Sequence, residues 1–454
     1  MAQLRLDYLL RHAGQASLIG QAPPELVFTS ITNHSRAAAP GGLFLAIEAA
    51  RDGHEFIAAA REAGAVGVLA SKVVPEALAP GFAYVVVDDP IEALQRVASA
   101  RRQELEVGVI GITGSVGKTS TKEAVAQVLR RRFNVHASRG NYNNEIGLPI
   151  TILDATDQHE RLVLEMGAYR PGEIASLCAI AEPQMGIVTT VGPTHLESFG
   201  SIEAIEQTKG ELIEALPETG LAVLNGDDER VRRMALRAAC PVVTYGRGEL
   251  CAVRATEIET RGLGGIAFTL QVPGGRARVE SPLIGAHAVY PCLAGAAVGM
   301  ADEIEPEEIA AALAEPPTRL RLRPLPGRNG ATVLDDSYNA APISMRAALD
   351  VLAEHPGRRV AILGDMLELG AIEEEAHRQI GRHAAESADV LYAVGRRGRW
   401  IGLEARRAGL PEVHLAEEPA GVTYQPQAGD LVLVKASRGM ALERIVARLV
   451  EVAG

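Results

Sequence analysis

Lysine is nearly missing from this chain of 454 residues: Lys72, Lys118, Lys122, Lys209 and Lys435 stand against 40 arginines, so a lysine inside a motif carries information. Long apolar runs are missing too. No stretch of 18 or more apolar residues occurs, and no membrane-spanning helix is expected. The first residues, "MAQLRLDYLLRHAG", lack the continuous apolar region of a secretion signal. Cysteine is sparse: Cys178, Cys240, Cys251 and Cys292 have no metal-like spacing and read as reduced core residues of a cytoplasmic protein. Positive charge is outweighed, with a net charge of −12 and no basic stripe, which argues against a nucleic-acid partner. No internal repeat or low-complexity segment is found.

What is present is an α/β pattern long enough for two to four domains. Residues 1–104 read as a small α/β unit, with strand-like "GGLFLAI" and "FAYVVVDD" and helical "IEALQRVASARRQEL". A second unit, 105–315, opens on the nearly all-apolar "VGVIGIT". It continues through "RLVLEMG", "MGIVTTVG", "LAVLNGDD" and "PVVTYG", separated by helical stretches. That alternation predicts a doubly wound, mainly parallel sheet, with an antiparallel patch over the Gly-, Thr- and Val-rich residues 252–284. The Pro- and Arg-rich stretch 314–330 reads as a linker, and 316–454 as a third α/β unit built on "RVAILGDM", "VLYAVG", "EVHLAE" and "DLVLVKAS".

Between the first central strand and the next helix lies "TGSVGKTS": Thr113, Gly114, Ser115, Val116, Gly117, Lys118, Thr119 and Ser120. The usual phosphate-binding loop places its first glycine five residues before the second, which here is Ile112; Gly111 and Gly114 flank it. The strand-before, helix-after context suits phosphate all the same. Backbone N–H groups at the helix start can cradle oxygens, Lys118 can lie along the β- and γ-phosphates, and Thr119 can offer a hydroxyl to Mg²⁺. Glu165 ends an apolar strand where a sheet delivers side chains to its ligand crevice. His195 follows another strand.

These residues together resemble the Mur ligase family of ATP-dependent amide-forming enzymes, whose loop reads T-G-x-x-G-K-T-[ST]. "GNYNNEIGLP" (140–149), "EMGAYRPGEI" (165–174), "THLESFGS" (194–201) and "QTKGEL" (207–212) are similar to its central motifs, in order. "DDSYNAAPISM" (335–345), "GDMLELG" (364–370) and "LVKASRG" (433–439) resemble the branch adding D-alanyl-D-alanine to UDP-N-acetylmuramoyl-tripeptide. Branches adding a diamino acid, and folate polyglutamate ligases, are the nearest alternatives; the first usually carries D-[ND]-P-R, absent near "DMLEL". The resemblance implies three domains: an N-terminal one for the UDP-sugar, a central one for ATP, and a Rossmann-like C-terminal one for the dipeptide. It implies catalytic and metal roles for Lys118, Thr119, Glu165, His195 and Lys209, with Lys209 carried as a carbamate. It further implies ATP contacts from Asn144, Arg319 (or Arg321), Asp336 and Asn339. Uridine-side contacts would come from Ser35 and Arg36, with His34 where Asp is usual, and C-terminal substrate contacts from Lys435, Ser437 and Arg438. The implied protein is a monomer.

One departure concerns the nucleotide base. The family usually has H-N-x-x-N after a glycine, whereas "GAHAVYPCLAGA" keeps His287 but places Ala288 and Pro291 at the asparagine positions. An Asn amide pairs with adenine N6 and N7 together; alanine has no polar group, and proline lacks its N–H. Discrimination between ATP and GTP is therefore expected to be weak, about tenfold to a hundredfold in kcat/KM. A preference beyond roughly ten-thousandfold, measured with the other substrates saturating, would show adenine read by other groups.

Overall fold

The computed structural model describes residues 4–317 and 321–451. Three sheets dominate it. The N-terminal sheet has five strands in the order Ser17–Ile19, Ala83–Val86, Ala65–Ala70, Gly42–Leu45, Ser30–Thr32, all parallel except the first pair. The central sheet has nine strands. Its seven parallel strands run from Val253–Thr260 through Val242–Gly246, Leu221–Asn225, Met185–Val188, Gly108–Thr113 and Arg161–Glu165 to Val135–Ala137. Ile266–Val272 and Gly275–Ser281 extend it antiparallel, as the composition of 252–284 predicts. The C-terminal sheet has six strands, Arg323–Pro326, Thr332–Asp336, Leu431–Lys435, Arg359–Gly364, Val390–Val394 and Glu412–Ala416, parallel after the first pair.

The central strands read as unbroken apolar runs because both sheet faces are covered. On one face Ile110, Ile112, Val163, Ile187 and Val223 pack under the helices Lys118–Leu129 and Val289–Ala301. On the other, Val109, Leu162, Leu164, Val188 and Leu224 pack with Leu212 of the helix Ile202–Glu214. Each fully buried Leu, Ile or Val contributes about 1.5–3 kcal/mol relative to exposure, so the strand order is set by two cores at once. The second core continues without a break into the N-terminal unit through Leu94, Val97 and Ala98 of the helix Pro90–Glu104.

Two expectations need correction. The stretch 314–330 is not all linker, because Arg323–Pro326 is a strand. It lies at the sheet edge, where Pro324 and Pro326 need not donate to a second neighbour. Arg319 lies outside the described residues. Of the cysteines, Cys178, Cys240 and Cys292 are buried, but Cys251 is only partly so and is not a core residue.

Arg102, on the helix Pro90–Glu104, joins the first two units. Its buried guanidinium donates to Ala181 O at 2.8 Å, Glu182 O at 3.3 Å and Leu105 O at 3.3 Å. Ala181 ends the helix Glu173–Ala181, whose last carbonyls lack helical partners and favour a cation. Arg102→Met should therefore lower stability by about 2 kcal/mol, read as a lower urea midpoint with the slope unchanged. An unchanged midpoint would show that water replaces the guanidinium.

Candidate active site

The carboxyl ends of the central and C-terminal parallel strands open onto one cleft of about 850 Å³, where open α/β sheets bind ligands. The phosphate-type loop forms one wall. Gly114 has φ +140°, and an added Cβ would lie 2.0 Å from Thr189 Oγ1. Gly117 has φ +91° and caps the helix Lys118–Leu129. Both positions exclude larger side chains, which accounts for the T-G-x-x-G-K spacing. Ser115 through Ser120 line the cleft. Thr113 does not: it is fully buried and donates its hydroxyl to Met166 O at 2.8 Å, pinning the strand end.

Lys118 donates to Gly114 O at 2.7 Å, and burial pushes its pKa down, with Glu165 opposing that shift. Glu165, itself buried, accepts from Thr119 Oγ1 at 3.0 Å and from Asn143 Nδ2 at 2.9 Å. A line of support holds it in place. Lys122 Nζ donates to Ser138 O at 2.6 Å, and Ser138 Oγ accepts from Glu165 N at 3.1 Å. Lys209 is buried on the helix Ile202–Glu214, its ammonium 5.6 Å from the Phe199 ring centroid. Burial first, and the charge of Lys118 second, lower its pKa to about 7. His195, at φ +55°, leads into the helical turn Leu196–Phe199; its imidazole meets the edge of Tyr169 at 4.4 Å, and its Nδ1 is hydrogen-bonded to the Glu368 carboxylate.

The C-terminal sheet supplies the facing wall. Lys435 is buried, pairs with Asp336 and donates to Asn339 O at 2.9 Å. Two of its three donors are thus held within the protein, and it shapes the "DDSYNA" loop. Ser437 Oγ accepts from Leu367 N at 2.9 Å. Arg438 is exposed, beside Glu443 at 3.4 Å. The Arg321 guanidinium lies 3.9 Å from the Tyr338 ring centroid, with one nitrogen 3.5 Å from Thr119 Oγ1. Among the described residues it is the linker arginine at the loop.

Other expected residues fall elsewhere. Asn144 does not line the cleft; its Oδ1 accepts from Gly147 N at 2.9 Å just before the helix Gly147–Leu153, and its neighbour Asn143 faces the cleft instead. Ser35 and Arg36 sit on a short helical turn of the N-terminal unit, outside the cleft. Ala288 and Pro291 do line it, as do His287 and Tyr290, and Tyr290 Oη is 3.1 Å from Asp227 Oδ2. Asn143, Tyr169, Tyr338 and Glu368 were not singled out from sequence, though all lie within motifs that were.

The donor set fits Mg²⁺ in part. Thr119 and Glu165 offer hard oxygens side by side, as suits an ion held by one or two protein groups plus substrate phosphates. Glu165 and His195 do not form a three-donor cluster. Among the described residues that arrangement occurs at Glu48, Asp52 and His54, where Lys72 already pairs with both carboxylates at 2.9 and 2.7 Å.

Residues 112–299 match the Mur ligase middle domain and residues 319–438 the Mur ligase glutamate ligase domain. The chain is 39% identical to the UDP-N-acetylmuramoyl-tripeptide–D-alanyl-D-alanine ligase of Mycobacterium tuberculosis, covering 92% of this chain and 91% of that one. It is 35% identical to the ligase of the same name from Bacillus subtilis, over 94% of each. A crystal structure of MurF from Acinetobacter baumannii superposes with a TM-score of 0.85 at 30% identity, over 98% of each chain. By these matches the chain belongs to the Mur ligase family, within its UDP-N-acetylmuramoyl-tripeptide–D-alanyl-D-alanine ligase branch.

Proposed function

We propose that this protein joins D-alanyl-D-alanine to the peptide carboxylate of UDP-N-acetylmuramoyl-tripeptide at the cost of ATP, in the cytoplasmic assembly of peptidoglycan precursors. The observation that carries this reading is the Thr119–Glu165 hydrogen bond beside Lys118 in a cleft whose other wall includes Tyr338, Asn339 and Lys435. A phosphate site and an acceptor site thus face each other across one space. The Thermotoga maritima relative was solved in complex with ADP, with a TM-score of 0.78 and 28% identity.

A carboxylate is a poor electrophile. Transfer of the γ-phosphoryl to it gives an acyl phosphate; the dipeptide amine then attacks the carbonyl, and phosphate leaves with the bonding pair. Lys118, Arg321 and the backbone N–H groups at the start of the helix Lys118–Leu129 stabilise the charge spread over the moving phosphoryl group. Thr119 and Glu165 would hold Mg²⁺, whose charge offsets that of the phosphates. His195 and Lys209, the latter as a carbamate, would complete the metal surroundings. Ser35 and Arg36 hold the uridine end at the far unit, while Ser437 and Arg438 hold the dipeptide side. Closure of the two walls excludes water, which would otherwise hydrolyse the acyl phosphate. The direct test is ADP release with UDP-N-acetylmuramoyl-tripeptide, with and without D-alanyl-D-alanine. Release independent of the dipeptide would overturn the ligase reading.

Lys118→Ala should leave the fold intact and cost about 3 kcal/mol or more of transition-state stabilisation; ordinary turnover in the folded variant would remove Lys118 from the phosphate site. For Lys209, carbamate formation needs the neutral amine, which predominates above its pKa of about 7. At fixed dissolved CO₂, carbamate occupancy should rise as pH increases through about 7, measured by ¹³C NMR with labelled CO₂. Bicarbonate removal should lower activity, and a short carboxylic acid should partly rescue Lys209→Ala. Full activity in that variant without rescue would contradict the role.

A further inference from the structure

The motif "GDMLELG" helps identify the branch, yet nothing in the reaction as described uses it. Its backbone is braced inside the C-terminal unit. Asp365 accepts from Arg397 N at 3.0 Å and Gly398 N at 2.7 Å, and Leu367 N donates to Ser437 Oγ at 2.9 Å. Glu368 then takes φ +65°, a left-handed conformation unusual for glutamate, which aims it away from its own unit. It reaches the central unit twice. Glu368 O accepts from Glu197 N at 3.1 Å, and its carboxylate takes the Nδ1 of His195. His195 is also in the left-handed region, at φ +55°, and its ring is held on another side by Tyr169.

The second contact has a chemical consequence. A carboxylate accepts only, so it selects the imidazole with its proton on Nδ1 and leaves the Nε2 lone pair available. Nε2 has no hydrogen-bond partner among the described residues, and His195 lines the same cleft as Thr119 and Glu165. Histidines that hold metals are usually oriented through the other ring nitrogen in this way. We infer that Glu368 is a positioning residue: the C-terminal unit, on closing, delivers a carboxylate that fixes the ring and tautomer of His195 for metal binding. Metal affinity is thereby tied to the contact between the two units, Glu368 acting through His195 rather than as a ligand. The inference rests on His195 being a metal ligand, and the test separates the two statements.

Mn²⁺ stands in for Mg²⁺ and is titrated into the full-length protein with ADP present, free Mn²⁺ being read by electron paramagnetic resonance. Glu368→Ala should weaken Mn²⁺ binding about tenfold or more. Glu368→Gln keeps an oxygen acceptor of the same reach and should recover most of that loss. Both variants retain the backbone bond to Glu197, so a fall in affinity reports the side chain; matching urea midpoints would show the fold intact. In a His195→Ala background, Glu368→Ala should have no further effect. If His195→Ala alone leaves Mn²⁺ affinity unchanged, the ligand assignment fails and the inference fails with it. If His195→Ala weakens binding but Glu368→Ala does not, only the inference is overturned. If Glu368→Gln is as damaging as Glu368→Ala, Glu368 acts by its charge or as a ligand, and the positioning role is wrong.

Discussion

Two ammonium groups, the part-buried Lys118 and the buried Lys209, sit at the same mouth of the central sheet, and each depresses the ionisation of a neighbour there. Burial lowers both pKa values, and the charge of Lys118 adds to the effect on Lys209 and His195. Glu165 is the carboxylate set against Lys118, and it is already engaged by Thr119 and Asn143. Such a site favours anions strongly, because every phosphate oxygen that enters relieves a desolvated cation. It also favours turning the second lysine from a cation into an anion. The chemistry of the cleft follows from this imbalance, and the structural supports around it serve to keep it in place.

The supports come from both sheets. Parallel strands ending at Thr113, Glu165 and Val188 deliver one wall, and those ending at Asp336, Gly364 and Lys435 deliver the other. Neither wall is complete alone. The loop presents its helix N-terminus to the cleft, and from beyond the linker Arg321 reaches Thr119, Tyr338 lies against Arg321 and Glu368 reaches His195. The full set of charges is assembled only by both walls together.

On the base side the cleft is built differently. Ala288 and Pro291 are buried and offer no side-chain polarity, while the nearby hydroxyl of Tyr290 is engaged with Asp227. That wall therefore offers a ligand apolar contact more than side-chain hydrogen bonds.

Much of this was written locally. The apolar strands, the glycines of the loop and the lysine and threonine after it are close in the chain, and their placement follows from short-range geometry: Gly117 takes a left-handed conformation and the helix begins at Lys118. The parallel central sheet and its antiparallel extension were legible for the same reason, since periodicity reports burial on one or two faces. The sequence could not rank Asn143 against Asn144, because adjacent asparagines differ only in which one bonds the following backbone and which one reaches Glu165. Nor could it choose between Arg319 and Arg321, or find the partner of His195. Glu368 lies 173 residues from His195 along the chain; a hydrogen bond across that separation has no local signature. Composition and spacing determined that this is a phosphate-handling α/β chain. The packing of one sheet's strand ends against another's decided which charges meet, because electrostatic contacts depend on distance in space and not on order in the chain.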